Sequence, residues 1–299
     1  MGIRLGMTET FFRYLQFEKR LSSNTLAAYQ NDIAQFSEFL LGNFHVTDPG
    51  DADYGMIRSW IISLVDKDLE PISINRKIAC LRTFYKYLLA REFIVKDPTT
   101  KVSILKSRKK LPSFVKEGEM MQLLDETSFP DTVEGLRNKL ILELFYATGI
   151  RLAELIGLKE SQVDVRNCTI KVLGKRNKER VIPFSKKIVP ILEAYRTRRN
   201  REIPDTKNGL LFVTNKGEPC YPMMIYRTVK KYLMLGTVAE KKSPHILRHT
   251  YATHLLNKGA EINAVKDLLG HSSLAATQVY THNSIDKLKR VFDQAHPKA

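Results

Sequence analysis

The sequence predicts a mainly α-helical protein of two domains, with one small β-hairpin in the second. Three observations carry this. Apolar residues recur at spacings of three and four through the first hundred positions, and a basic run near residue 106 interrupts the pattern. Beyond it, two short β-branched segments flank a turn rich in glycine and lysine. A chain of 299 residues with 43% hydrophobic content suits two compact cores better than one.

Taken in order, Phe11, Phe12, Leu15 and Phe17 open an apolar stripe. Ser22-Ser23-Asn24 offers N-cap residues for a second helix carrying Leu26, Tyr29, Ile33, Phe36 and Leu40. Asp48-Pro49-Gly50-Asp51 breaks the pattern. Met56, Ile57, Trp60, Ile61 and Leu64 then define a third helix, and Ile74, Ile78, Leu81, Phe84, Tyr85 and Leu88 a fourth. Aromatics at helical spacing read as core, so residues 1–105 form a small four-helix domain. Lys106-Ser107-Arg108-Lys109-Lys110 precedes Leu111-Pro112 and reads as an extended linker over 106–113. Such a linker can track a DNA backbone or serve only as a solvated hinge.

Residues 114–299 form the second domain. A helix is expected over 133–146, ended or bent by Gly149. Residues 169–173 and 180–183 pair as a hairpin around 174–178, with Lys175 at the turn, and 211–214 adds a further short strand. Helices resume over 223–232, 245–257 and 262–269, the last stopped by Gly270. A short helix over 274–280 precedes an apolar stripe of Ile285, Leu288 and Phe292.

Lys and Arg number 48 against 32 Asp and Glu, a formal net charge of +16. That surplus points to a polyanionic partner, nucleic acid before a membrane surface. Cys80, Cys168 and Cys220 lie far apart without metal-ligand spacing and read as thiols in a reducing compartment. No stretch approaches the roughly 20 apolar residues of a membrane span, and the start lacks a secretory core, so a cytoplasmic protein is expected. Helical pattern begins just after Met7, which makes Met7 a candidate initiator beside Met1.

Of seven histidines, five fall between His245 and His282. Pro244 can start a helix, and the three-residue spacing then sets His245 and Arg248 on one face. An arginine fork grips two phosphate oxygens while a histidine exchanges protons near neutral pH, so the pair suits a phosphoryl group. Zinc is the competing explanation, since His245 and His249 are four apart. The glutamate of a metalloprotease helix is missing, Ile246 and Leu247 standing between them, so no metal is expected. His249 and His254, taken singly, read as ordinary helix-surface residues.

The strings Ala147-Thr-Gly-Ile-Arg-Leu-Ala-Glu-Leu155, Gly174-Lys-Arg-Asn-Lys-Glu-Arg180, His245-Ile-Leu-Arg-His-Thr-Tyr-Ala-Thr253, Leu269-Gly-His271 and Gln278-Val-Tyr-Thr-His282 resemble, in order, the signature boxes of tyrosine recombinases. Leu21-Ser-Ser-Asn-Thr-Leu-Ala-Ala-Tyr29 and Arg82-Thr-Phe-Tyr-Lys-Tyr87 resemble the core-binding domain of the Xer chromosome-dimer recombinases, as does the terminus from Asp293. The resemblance implies a two-domain DNA clamp, a helical core-binding domain plus a catalytic domain. Its implied catalytic set is Arg151, Lys175, His245, Arg248, His271 and Tyr280, with Tyr280 the nucleophile. Glu154 matches a further acidic position that could orient Arg151.

The chemistry agrees with that set. A phosphodiester attacked by a phenol passes through a five-coordinate phosphorus with added negative charge, which Arg151 and Arg248 would stabilise. A tyrosine of reference pKa near 10 needs a proton acceptor, here His245, and the leaving 5′-oxygen needs a proton, here from Lys175. His271 would help hold the phosphate. No cofactor is implied, and because the link to Tyr280 stores the bond energy, no ATP. The family further implies a tetramer, homomeric or with a related Xer recombinase, acting through a Holliday junction to resolve chromosome or plasmid dimers, with a septal DNA translocase as a further partner. It also implies a terminal helix docked on a neighbouring protomer; the residues equally allow that helix to fold back on its own domain. Rival readings are a phage or transposon integrase, a type IB topoisomerase and a catalytically silent DNA-binding protein.

Overall fold

The computed structural model describes residues 6–106, 113–174, 179–203, 209–240, 242–270 and 282–298, with only the backbone of 282–288. The chain divides into two compact units, Met1–Lys110 and Leu111–Ala299. Most of the expected linker, residues 107–112, lies outside the described residues.

In the first unit, α1 (Met7–Arg13) runs directly into a π-helical turn at Tyr14–Glu18. The wider turn slips the apolar register. Phe11 and Leu15 are buried as expected, but Phe17 points outward, 66% exposed, and leaves the stripe. Ser22 caps α2 (Ser23–Phe44), its Oγ accepting from Thr25 N–H, and Asp53 caps α3 (Tyr54–Asp66) through Met56 N–H. Pro71 opens α4 (Pro71–Ala90) at a position where its missing N–H costs nothing. The four helices enclose one core in which the Phe11 ring lies 5.1 Å from Phe84 and 5.5 Å from Tyr87. Asn75 ties down the end of the unit, donating to Leu105 O at 2.9 Å and accepting from Leu105 N–H at 2.8 Å.

The second unit holds α5 (Glu117–Glu126), α6 (Val133–Thr148), α7 (Leu152–Ile156), α8 (Ile188–Glu202), α9 (Pro222–Gly236), α10 (Pro244–Asn257), α11 (Ile262–Leu269) and α12 (His282–Ala295). Helix α6 is buried almost all round, packed between α8 and α10. The hairpin of β2 (Thr169–Leu173) and β3 (Glu179–Pro183) has the expected strands, with Val172 opposite Arg180. A two-residue strand β1 (Val163–Asp164) adds a third, antiparallel to β2. The strand expected over 211–214 is absent as such: Leu210 and Val213 make only single bridges, to Lys159 and Pro219. Its backbone is instead gripped by buried arginines, Arg199 donating to Leu211 O at 2.7 Å and Arg137 to Val213 O at 2.9 Å.

The C-terminal segment folds back on its own unit. Phe292 is buried with Tyr251, Leu255, Val265 and Leu268. His296 Nε2 donates to Tyr146 O at 3.1 Å while its Nδ1 accepts from Lys298 N–H at 3.1 Å, an arrangement that requires the neutral ring. Lys298 Nζ reaches Glu143 at 3.0 Å and Asp125 at 2.8 Å. Burial, above all, holds the His296 pKa down at about 4, with Lys298 and His254 adding to it. The unfolded ring titrates near 6.5. Between those values the unfolded chain takes up a proton that the folded chain refuses, so this contribution to stability is intact above pH 6.5 and falls as pH drops toward 4, by roughly 3 kcal/mol in all. Hydrogen exchange at pH 7.5 and pH 5 is expected to show the 289–298 segment opening more at the lower pH. His296→Gln, which keeps a donor but cannot titrate, should remove most of that difference; an identical pH response in the variant would refute the assignment.

Candidate active site

Helix α6 ends at Thr148 because Gly149 takes the left-handed conformation, φ +57. A Cβ there would lie 2.6 Å from the Tyr251 ring, so glycine is required twice over. The sharp exit throws Arg151 onto the N-terminus of α7. Glu154, one turn on, accepts twice from Arg151: its Oε2 from Arg151 N–H at 2.9 Å and its Oε1 from Arg151 Nη1 at 2.9 Å. Glu154 thus contacts both the side chain and the backbone of Arg151.

Helix α11 stops where expected, Gly270 being left-handed at φ +64. Arg151 Nη2 donates to Gly270 O at 2.8 Å, and Arg248, from α10, donates to Leu269 O at 2.6 Å and to Gly149 O at 2.5 Å. The two sequence-predicted arginines thus converge on one turn from helices far apart in sequence. His271 follows that turn in sequence but lies outside the described residues, as do Lys175 and Tyr280. His245 sits one turn before Arg248 on α10 and is exposed.

Sequence reasoning passed over Arg180. Its guanidinium is buried on β3 and grips Glu154 in a fork, Nη1 to Oε1 at 2.6 Å and Nη2 to Oε2 at 2.8 Å. Burial alone would raise the Glu154 pKa, but bonds and charge from Arg180, then Arg151, outweigh it and hold the carboxyl down at about 2. Glu154 is therefore ionised throughout the neutral range. Arg248 is lowered to about 10, first by burial and then by the like charges of Arg151 and Arg180, and still carries its charge at neutral pH. Three guanidiniums against one carboxylate leave the cluster with a surplus of positive charge, as an oxyanion site requires. Arg180 stood at the end of a quoted motif; nothing in the sequence said that β3 would turn it toward Glu154.

The surface role expected for His254 is corrected. It is buried, with Nδ1 at 3.0 Å from Tyr146 Oη and Nε2 at 3.0 Å from Val115 O, and burial lowers its pKa.

A model of the phage integrase family matches residues 113–286, and one of the phage integrase N-terminal SAM-like domain matches residues 8–92. Tyrosine recombinase XerC of Chlorobaculum parvum (strain DSM 263 / NCIMB 8327) is 36% identical, covering 99% of this chain and 96% of the relative. The chain belongs to the phage integrase family of tyrosine recombinases. Tyrosine recombinase XerD of Staphylococcus aureus (strain Mu50 / ATCC 700699) is 34% identical over 97% of this chain and 98% of its own. Among solved structures, XerH site-specific recombinase bound to palindromic difH substrate in a post-cleavage complex aligns with a TM-score of 0.70 at 24% identity, over 95% of this chain and 93% of that one. The Tn1549 transposon integrase in complex with transposon right end DNA aligns with a TM-score of 0.71 at 18% identity, over 96% and 99%. At those identities the likeness speaks for the fold: mainly helical, with a small sheet, as the sequence predicts. As a tyrosine recombinase, the protein cleaves DNA and transfers strands.

Proposed function

We propose that this recombinase acts at a site on the chromosome in the manner of Xer proteins, resolving chromosome or plasmid dimers through a Holliday junction. The observation that carries the reading is the convergence of Arg151 and Arg248 on the Leu269–Gly270 turn. That turn leads in sequence straight into His271, within a chain matched nearly end to end by Xer relatives.

In this reading the Tyr280 phenol oxygen attacks a DNA phosphorus and passes its proton to His245. Arg151, Arg248 and His271 bear the charge that builds on the phosphoryl oxygens. Lys175 protonates the departing 5′-oxygen, leaving a 3′-phosphotyrosine and a free 5′-hydroxyl. A 5′-hydroxyl from the partner strand then attacks the phosphotyrosine, so exchange is the first step reversed and needs no ATP. The arginines supply the positive charge for which other phosphoryl-transfer sites use a metal ion.

The 1–105 unit binds the core of the site, the basic linker spans 106–113, and 114–299 is the catalytic domain, the two closing as a clamp on duplex DNA. The working assembly is a tetramer, of this chain alone or with a related Xer recombinase, in the cytoplasm, with a septal DNA translocase as a further partner. Among the described residues no helix is long and apolar enough to cross a membrane.

The test is a nicked suicide duplex carrying the host's dimer-resolution sequence. The wild-type protein is expected to give a DNA-linked band on a denaturing gel, and Tyr280→Phe none. A covalent band that persists in Tyr280→Phe would remove Tyr280 from its role.

A further inference from the structure

Three consecutive carbonyls at the end of α11 each accept a hydrogen bond from a different arginine: Leu268 O from Arg180 Nε at 3.2 Å, Leu269 O from Arg248 at 2.6 Å and Gly270 O from Arg151 at 2.8 Å. The last carbonyls of a helix have no partner within it and lie at the negative end of its dipole, so cations gather there. Arg180 differs from the other two. Its side chain is only 4% exposed, and Nε, Nη1 and Nη2 are all engaged, two of them by Glu154, itself 5% exposed. It therefore cannot turn to face a substrate.

We propose that Arg180 is a positioning residue for strand cleavage: by saturating Glu154 and holding the α11 turn, it keeps Arg151 and Arg248 free to receive the scissile phosphate. The proposal rests on the reading of those two arginines as the phosphate-binding pair. A lone carboxylate beside Arg151 would draw in the guanidinium as a two-point partner and cancel its charge. Because Arg180 occupies one lone pair on each Glu154 oxygen, Arg151 meets the carboxylate through Nη1 and its own backbone N–H only. Among the described residues, its Nε and the second hydrogen on each Nη meet no further acceptor. The same residue fixes the backbone that leads into His271, and the fit is close: a Cβ on Gly270 would lie 2.8 Å from Arg180 Cδ. Lysine could supply the charge but not a fork plus a third donor.

The experiment measures single-turnover cleavage of the same nicked duplex at saturating protein, together with duplex affinity and melting temperature, for four variants. Arg180→Gln is expected to slow cleavage roughly 10²-fold, a loss typical of slight misplacement of reacting groups. Its affinity should stay within about threefold of wild type, since one buried side chain contributes nothing to the phosphate contacts that dominate DNA binding. Its pH–rate profile should gain an acid limb, because Glu154 loses the partner that keeps it ionised. Arg180→Lys, the variant chosen to fold if Arg180→Gln does not, should slow cleavage about tenfold without the acid limb. Glu154→Gln with Arg180→Gln should be no slower than Arg180→Gln alone. Wild-type cleavage by folded Arg180→Gln or by Arg180→Lys overturns the proposal, as does a loss that lies wholly in affinity. Arg151→Ala separates the two layers: if it cleaves at the wild-type rate, the phosphate-binding reading fails and carries the proposal with it. If Arg151→Ala is inactive while both Arg180 variants cleave normally, only the positioning role is lost.

Discussion

Arg248→Ala is expected to slow single-turnover cleavage of the suicide duplex by roughly 10³-fold, while duplex affinity changes less than about tenfold. The asymmetry follows from what the guanidinium does. Arg248 is held by two carbonyls, Gly149 O and Leu269 O, in a site where burial first, and then the like charges of Arg151 and Arg180, press its pKa down to about 10. A cation already oriented by fixed carbonyls loses little freedom when charge develops beside it, and in such a place it stabilises a transition state far more than it would in water. Affinity responds weakly because many surface phosphate contacts share it. Arg248→Lys should recover little of the rate, because an ammonium cannot bridge Gly149 O and Leu269 O and still present a second donor. A wild-type rate for either variant would exclude Arg248 from the reaction centre.

Most of the framework that sets up this site follows from local rules. Gly270 after the periodic run 262–269 marks the end of α11, and Ser22 marks the start of α2, because helix ends need specific residue types. Residues without such a rule give no local signal of where they lie. Arg137, Arg180 and Arg199 are buried, although arginine in a sequence reads as surface; each is satisfied by backbone carbonyls or a carboxylate that arrives from a distant segment. The burial of His254 has the same cause, its partners Tyr146 and Val115 lying far away in sequence. Helix α8 carries four arginines, and with Arg199 turned inward its apolar stripe is incomplete and gives no helical pattern of its own. Phe17 fails in the opposite sense, since one π-helical turn displaces it from a face that a 3.6-residue repeat assigns to the core. Arg151 and Arg248 stood out as motif positions, whereas the wiring between them through Glu154 and Arg180 needed the fold.

The amino-terminal unit offers the second large effect, on stability rather than rate. Asp32 is fully buried on α2, accepting from Lys77 Nζ at 2.9 Å and from both Nη groups of Arg76 on α4. Lys77 is itself buried, 5.9 Å from the Trp60 ring, and has Gln35 Oε1 as a further partner at 2.6 Å. Asp32→Ala would strand an ammonium in the core with only a neutral amide to satisfy it, so a loss of about 3–5 kcal/mol is expected. The sequence holds one tryptophan, so urea unfolding followed by fluorescence reports this unit alone. If the cost comes from the stranded charge, Asp32→Leu with Lys77→Met should regain at least half of it, because two apolar side chains of similar size remove the uncompensated ammonium rather than pairing it. A loss below about 1 kcal/mol in Asp32→Ala would mean that water reaches Lys77 and that the α2–α4 contact rests on Ile33, Phe36 and Leu81 rather than on the ion pair.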